Sequence, residues 1–168
     1  MKRVALTALA VVLAVAGCGR DGTATAQAAV PSSAARLACS ADALGDITTG
    51  LGVGVTKPLA PRWAEHTYTC SYVFADGTMV LSVTDNADAT TALAALAAHR
   101  PTNAVTVPGL GQQAYAVPDG TTVVRKDASI LTVDVTGLPA TFGVPPHPRN
   151  IDAITVAETI LSCWTEDS

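Results

Sequence analysis

The chain has 168 residues, a net charge of −4, and 49% hydrophobic but only 4% aromatic residues. This length suits one domain with a hydrophobic core, and the scarcity of aromatic side chains predicts that the core is aliphatic. Basic residues are outnumbered by acidic ones and form no basic stripe. The charge pattern therefore argues against nucleic acid and anionic lipid headgroups as partners.

The N-terminus has the parts of a bacterial lipoprotein signal in the right order. A basic start precedes an apolar run at residues 4–16, which is too short to cross about 30 Å of hydrocarbon as a helix. Val15-Ala16-Gly17-Cys18 then matches the lipobox. We predict that residues 1–17 are removed and that Cys18 is lipidated, which would anchor the chain to the outer face of the cytoplasmic membrane in the cell envelope. The alternative is an ordinary cleaved signal in which Cys18 is incidental.

Residues 18–35 are small and polar and have no apolar periodicity, which predicts a flexible tether. The folded extracytoplasmic domain is expected to span residues 36–168. Its first helix is predicted by apolar residues at three- and four-residue steps, with Ser40 as the N-cap. The apolar positions are Leu37, Ala41, Leu44, Ile47 and Leu51.

A hairpin and a helix are predicted next. Residues 67–74 alternate as a strand does, Asp76-Gly77 predicts a tight turn, and residues 78–84 form the returning strand. We predict that Asp85 caps the following helix, supported by Asp88.

The second half is richer in strands. Alternation predicts strands at residues 113–117, 121–126 and 129–135, and Asn150 is the predicted cap of a last helix. The order is therefore α-β-β-α-β-β-β-α. Strands linked by hairpins and interrupted by helices predict an α+β fold, with one antiparallel sheet of about five strands and the helices packed on one face.

Three cysteines remain besides Cys18. An oxidising compartment permits one disulfide among Cys39, Cys70 and Cys163. Cys70 lies on the aromatic face of the first strand, where the first helix would dock, and that helix begins beside Cys39. We therefore predict a disulfide between Cys39 and Cys70, with Cys163 as either a buried free thiol or a rival partner.

Several short motifs suggest a family. They are the lipobox at Cys18, Leu37-x-Cys39 opening a helix that ends in Leu51-Gly52, Cys70-Ser71-Tyr72 on a strand, and Val107-Pro108-Gly109-Leu110-Gly111-x-x-Ala114-Tyr115 before a hairpin. Over about residues 36–164 the chain resembles small actinobacterial lipoproteins of unknown function, whose extracellular fold is similar to that of the sensor domain of mycobacterial membrane kinases. The resemblance implies an α+β envelope domain without established enzymatic activity. In those sensors, disulfides tie helices to the sheet, and a cleft is proposed to receive a ligand.

Motifs for chemistry are weak. Residues 109–114 match a dinucleotide fingerprint as a string, but a strand follows instead of the helix that would hold the pyrophosphate, so a tight turn is favoured. His66, His99 and His147 have an irregular spacing that fits no metal motif. We predict no catalytic residue, metal or cofactor, while a hydrolase assembled from distant Ser, His and Asp residues stays open.

The proline-rich loops at residues 53–66 and 139–149 are the predicted functional surface, because function concentrates on loops held by a rigid scaffold. Trp63, Pro61 and His147 are its candidate binding residues. The alternative for Trp63 is packing over the sheet edge.

Three functions are compatible with these features. The leading hypothesis is a monomeric, non-catalytic binding or sensing module that recognises an unknown envelope ligand or an exported protein. The second is a carrier of a lipid or small apolar ligand in a cavity between the sheet and the helices. An envelope hydrolase is the third.

Overall fold

The computed structural model describes residues 30–58 and 61–164. The predicted signal and the predicted lipidation site at Cys18 lie outside the described residues. Among the helices of the described part, none is both long and apolar enough to cross a membrane.

The elements confirm the α+β fold class. The helices are α1 (Ser33–Leu37), α2 (Ala41–Leu51), α3 (Ala89–Ala98) and α4 (Arg149–Cys163). The strands are β1 (Lys57–Pro58), β2 (Arg62–Ala64), β3 (Thr67–Phe74), β4 (Gly77–Asp85), β5 (Val105–Thr106), β6 (Gln113–Ala116), β7 (Thr121–Lys126), β8 (Ser129–Asp134), β9 (Thr141–Phe142) and β10 (His147–Pro148).

The main sheet has eight antiparallel strands in the order β1-β3-β4-β8-β7-β6-β5, with β2 also paired to β3. Its five longer strands, β3, β4, β6, β7 and β8, are the five that alternation predicts. The other three have only two or three residues each, too few to show a period of two. β9 and β10 form a separate two-stranded sheet within the proline-rich stretch 139–149.

The β3–β4 turn is displaced by one residue from its predicted position. Phe74 pairs with Gly77, so the turn residues are Ala75 and Asp76. Gly77 instead begins β4, where its backbone approaches a neighbouring loop. A Cβ added to Gly77 would lie 2.3 Å from the carbonyl oxygen of Gly137, so glycine is required there by close packing.

One face of the sheet is covered by α1, α2 and α4. Cys70, Leu81 and Val133 lie in register across β3, β4 and β8. Leu131, two residues before Val133, pairs with Val124 of β7, so all five side chains point to this same face. Together with helix side chains they form the main hydrophobic core. Its fully buried members include Ile47, Met79, Leu81, Val83, Val124, Leu131, Val133, Val156 and Ile160.

α3 departs from the expectation that all helices pack on one face. Leu96 of α3 packs with Tyr115 and Val123, and Ile130 packs against this cluster. Tyr115 and Val123 pair with each other and alternate with residues of the main core, so they point to the opposite face. The strands at this end of the sheet thus carry apolar side chains on both faces, and a helix covers each face.

Two predicted helix caps are wrong and one is confirmed. Ser40 caps α2, since its hydroxyl accepts from the Ala43 amide at 3.1 Å. α3 is capped by Asp88, which accepts from the Thr91 amide at 2.7 Å and whose pKa is lowered by that bond, whereas Asp85 belongs to β4. α4 begins at Arg149, so Asn150 lies inside the helix and Pro148 occupies the cap position.

The folded domain begins before the predicted boundary at residue 36. α1 starts at Ser33, and Ala35 is fully buried in the main core. Asp85 holds this segment to the sheet by accepting from the Ser32 amide and hydroxyl, each at 2.8 Å, and from the Ser129 hydroxyl at 3.0 Å. Residues 32–35 are Ser and Ala, which are common in linkers. The same small residues also suit a tightly packed helix, so composition does not distinguish the two.

The predicted disulfide is confirmed between Cys39 and Cys70, which ties the α1–α2 junction to β3. Beside it, the Tyr72 hydroxyl donates to the Ala38 carbonyl at 2.7 Å, and burial raises the pKa of Tyr72 to about 12. Cys163 is a free, half-buried thiol at the end of α4.

Candidate functional site

A groove between α3 and the segment 106–115 is the candidate site, and we name it the α3 groove. Its volume is about 370 Å³, within the range of small-molecule and side-chain pockets. Leu93, Leu96 and Ala97 of α3 form one wall, and Val107 to Tyr115 form the other. Leu93 is 41% exposed, so this wall presents an apolar side chain to solvent.

One cation stands at the groove. The Arg100 guanidinium lies 5.4 Å from the centre of the Tyr115 ring and donates to the Thr106 hydroxyl at 2.8 Å. Tyr115 is buried, and its hydroxyl donates to the His99 carbonyl at 3.3 Å. Burial raises the pKa of Tyr115, and the positive charge of Arg100 opposes that rise. The groove is lined by apolar residues and also by Thr106, Gln112 and Gln113, and the positive charge of Arg100 is held in place beside the Tyr115 ring.

The glycines of the segment 106–115 shape the second wall. Gly109 and Gly111 both have positive φ, and β6 follows them, so this motif forms a tight turn in the structure. A Cβ on Gly111 would lie 2.5 Å from a methyl group of Val124 and 2.8 Å from the Arg125 carbonyl oxygen. Glycine at this position thus lets the turn lie directly on the sheet and places Leu110 in the core.

A second cavity, of about 390 Å³, lies where the two ends of the described chain meet. It is lined by residues 32–34, Leu37, residues 126–129, Cys163 and Trp164. Trp164 is buried, as expected for a core residue. Residues 1–29 and 165–168, which the structure does not describe, adjoin the lining of this second cavity in sequence. The α3 groove, in contrast, is lined by residues that lie far from both ends of the described chain.

The predicted binding surface at Trp63, Pro61 and His147 is not one surface in the structure. Trp63 is half-buried on β2, where it pairs with Tyr68 and contacts the His66 ring edge-on at 6.1 Å. It packs over the sheet edge, and Pro61 beside it is exposed. His147 pairs with Phe142, whose ring lies against Phe74 at the other end of β3. The separation from Tyr68 to Phe74 along the strand is about 20 Å.

His147 does lie beside a carboxylate. Its Nδ1 is 3.9 Å from Oδ1 of Asp152 in the first turn of α4. Burial raises the pKa of Asp152, and the neighbouring His147 lowers it. Neither residue lines the α3 groove or the second cavity.

Most residues of the α3 groove carry no functional signal in the sequence. Leu93, Leu96 and Ala97 recur at helical spacing in the sequence, but this spacing does not show that Leu93 stays exposed. Arg100 has no signal beyond its place at the end of α3. The segment from Val107 to Tyr115, quoted above for the family resemblance, is the one motif that forms part of the groove.

No protein-family model, curated protein or solved structure matches the chain. The resemblance to actinobacterial lipoproteins and kinase sensor domains therefore stays a prediction from the motifs.

Proposed function

We propose that the chain is a membrane-anchored, non-catalytic binding protein whose extracytoplasmic domain receives an apolar group of an envelope component in the α3 groove. The observation that supports this proposal is the open groove, with the apolar side chain of Leu93 exposed on its wall and the positive charge of Arg100 beside it. Lipidation of Cys18 would hold this domain at the membrane surface, and Cys18→Ala should release the protein or leave the precursor uncut.

A binding module is favoured over a carrier because one face of the sheet has an open groove and the other has a filled core. A carrier encloses most of its ligand, whereas the α3 groove is open to solvent. The space between the sheet and α2 and α4 is filled by fully buried side chains such as Ile47, Leu131 and Ile160. An open groove suits an apolar group that remains attached to a larger partner.

A hydrolase has one supporting observation, the pair of His147 and Asp152. The free thiol of Cys163 is eleven residues away along α4, about 16 Å. A nucleophile must lie within hydrogen-bond reach of its base, so this thiol does not complete a catalytic set with the pair.

The groove can be tested with 1-anilinonaphthalene-8-sulfonate, a fluorescent probe that has apolar rings and one negative charge. We expect saturable binding to the purified protein, at least tenfold weaker in Ala97→Trp because the indole would fill the groove. Arg100→Gln should weaken binding several-fold by removing the charge. Ala98→Trp adds the same ring at an exposed position outside the lining and should bind like the wild type. Equal affinity in Ala97→Trp and Ala98→Trp would show that the probe does not use the groove.

A further inference from the structure

Three oxygen atoms converge around Gly143 in the turn between β9 and β10. A Cβ added to Gly143 would lie 3.1 Å from the Leu51 carbonyl oxygen, 3.4 Å from the Pro145 carbonyl oxygen and 3.7 Å from Asp152 Oδ1. Gly143 has a φ of +86°, so the turn is built on a conformation that favours glycine. We name these three atoms the oxygen cluster.

The oxygen cluster is rich in negative charge. The Asp152 side chain is only 4% exposed, and its Oδ2 has no hydrogen-bond partner among the described residues. Leu51 is the last residue of α2, at the negative end of the helix dipole, and its carbonyl oxygen accepts from the Val144 amide at 2.8 Å. A buried carboxylate next to carbonyl oxygens is destabilised unless a positive charge or a proton compensates its negative charge.

The nearby basic side chains, Arg149 and His147, do not fully compensate the negative charge of Asp152. Arg149 is close in sequence, but its guanidinium donates to the Thr136 and Leu138 carbonyls at 3.1 and 2.8 Å. His147 is the basic group at the cluster, and its imidazole is 51% exposed. It can act there either as a cation or, when neutral, as a ligand.

We propose that the oxygen cluster and His147 bind a divalent metal cation. Two ligand atoms that each lie about 2.1 Å from one ion are separated by at most about 4.2 Å, and Nδ1 of His147 is 3.9 Å from Oδ1 of Asp152. No group of three or more metal-ligating side chains occurs in residues 30–58 and 61–164. The proposed ligands are this imidazole, this carboxylate and the carbonyl oxygens near Gly143, with water completing the coordination.

This site is distinct from the α3 groove and departs from the expectation, drawn from histidine spacing, that no metal binds. His147 and Asp152 are five residues apart, which matches no common metal motif. They meet because His147 lies one residue before the cap position Pro148 and Asp152 is the fourth residue of α4, two positions that often contact each other at a helix start. The metal would join this hairpin, α4 and the end of α2.

Zinc is the appropriate probe, because imidazole and carboxylate both bind it. Cys163 must first be changed to Ser, since its sulfur lies 3.8 Å from an Asp46 carboxylate oxygen and could bind zinc separately. Any histidine affinity tag must be removed. We expect calorimetry on purified Cys163→Ser protein to give one zinc site, weakened at least tenfold by His147→Ala and also by Asp152→Asn. His99→Ala removes an exposed histidine elsewhere and should leave zinc affinity unchanged.

Thermal unfolding supplies a second readout. Zinc should raise the Tm of the Cys163→Ser protein and should leave that of the Cys163→Ser/His147→Ala protein unchanged, because only the folded site binds it. His147 is half-exposed, so this variant is expected to fold in EDTA even if Asp152→Asn does not. Absence of zinc binding in Cys163→Ser, or equal affinity after His147→Ala, would overturn the proposal. Neither variant changes a groove residue, so this result is independent of the probe titration.

Discussion

The two faces of the main sheet are covered in different ways. On one face, three helices and a disulfide enclose side chains such as Leu81 and Leu131, which have no exposed surface. On the other face, α3 alone covers a small cluster of Leu96, Tyr115 and Val123. The α3 groove lies beside this smaller cluster.

This difference suggests a division of roles between the faces. Stability in a small domain comes mainly from buried apolar surface, and most of that surface lies under α1, α2 and α4. The face under α3 therefore retains room for exposed apolar side chains such as Leu93, at a smaller cost to folding. Changes on the two faces should accordingly differ in their effect on the free energy of unfolding.

Removal of the disulfide should be among the most destabilising changes on the well-packed face. Cys39 and Cys70 are separated by 31 positions, and the chain-entropy model predicts that a loop of this size contributes about 3–4 kcal/mol. We expect Cys39→Ala/Cys70→Ala to lose about this much stability in urea unfolding. Cys163→Ser removes a thiol that is not in a disulfide and should change stability by no more than about 0.5 kcal/mol. A loss below 1 kcal/mol in the double variant would contradict the assigned role of the disulfide.

The contrast between the faces can be measured with one substitution on each. Leu81→Ala would leave a cavity in the main core and should destabilise the protein by about 3–4 kcal/mol. Leu96 is 7% exposed and borders the open groove, so Leu96→Ala should lie near the lower end of the usual range, about 2 kcal/mol. The two losses in the free energy of unfolding can be measured from the urea midpoints, provided that the m-values are unchanged. Equal losses would mean that the two faces are packed equally well.

Most of the fold could be predicted because its strands are regular. Residues 67–74 and 129–134 alternate clearly, and each is long enough to show the period of two. Caps were less predictable. Asp85 and Asp88 are the same residue type three positions apart, and the choice between them depends on the bonds that Asp85 makes to Ser32 and Ser129, which are distant in sequence.

The sites could be predicted much less well, because they depend on distant contacts. The side of the sheet taken by α3 follows from which face of β6 and β7 carries Tyr115 and Val123, and both faces of these strands are apolar. His147 and Asp152 are local neighbours at the start of α4, but the Leu51 carbonyl reaches them only because the end of α2 packs against the β9–β10 turn. Neither arrangement leaves a periodic or motif signal in the chain.

The smallest predicted effect concerns Asp152, the charged exception on the well-packed face. Burial raises its pKa above the ordinary value of 3.8. Its contribution to stability is therefore fully present below that value and is lost as pH rises through the higher pKa of the folded state. Asp152→Asn removes the buried charge. The Tm of the variant minus the Tm of the wild type should therefore be more positive at pH 7 than at pH 4, by on the order of 2 °C. Melting curves in EDTA exclude any metal effect. A Tm difference that does not change with pH would mean that the charge of Asp152 does not destabilise the folded protein.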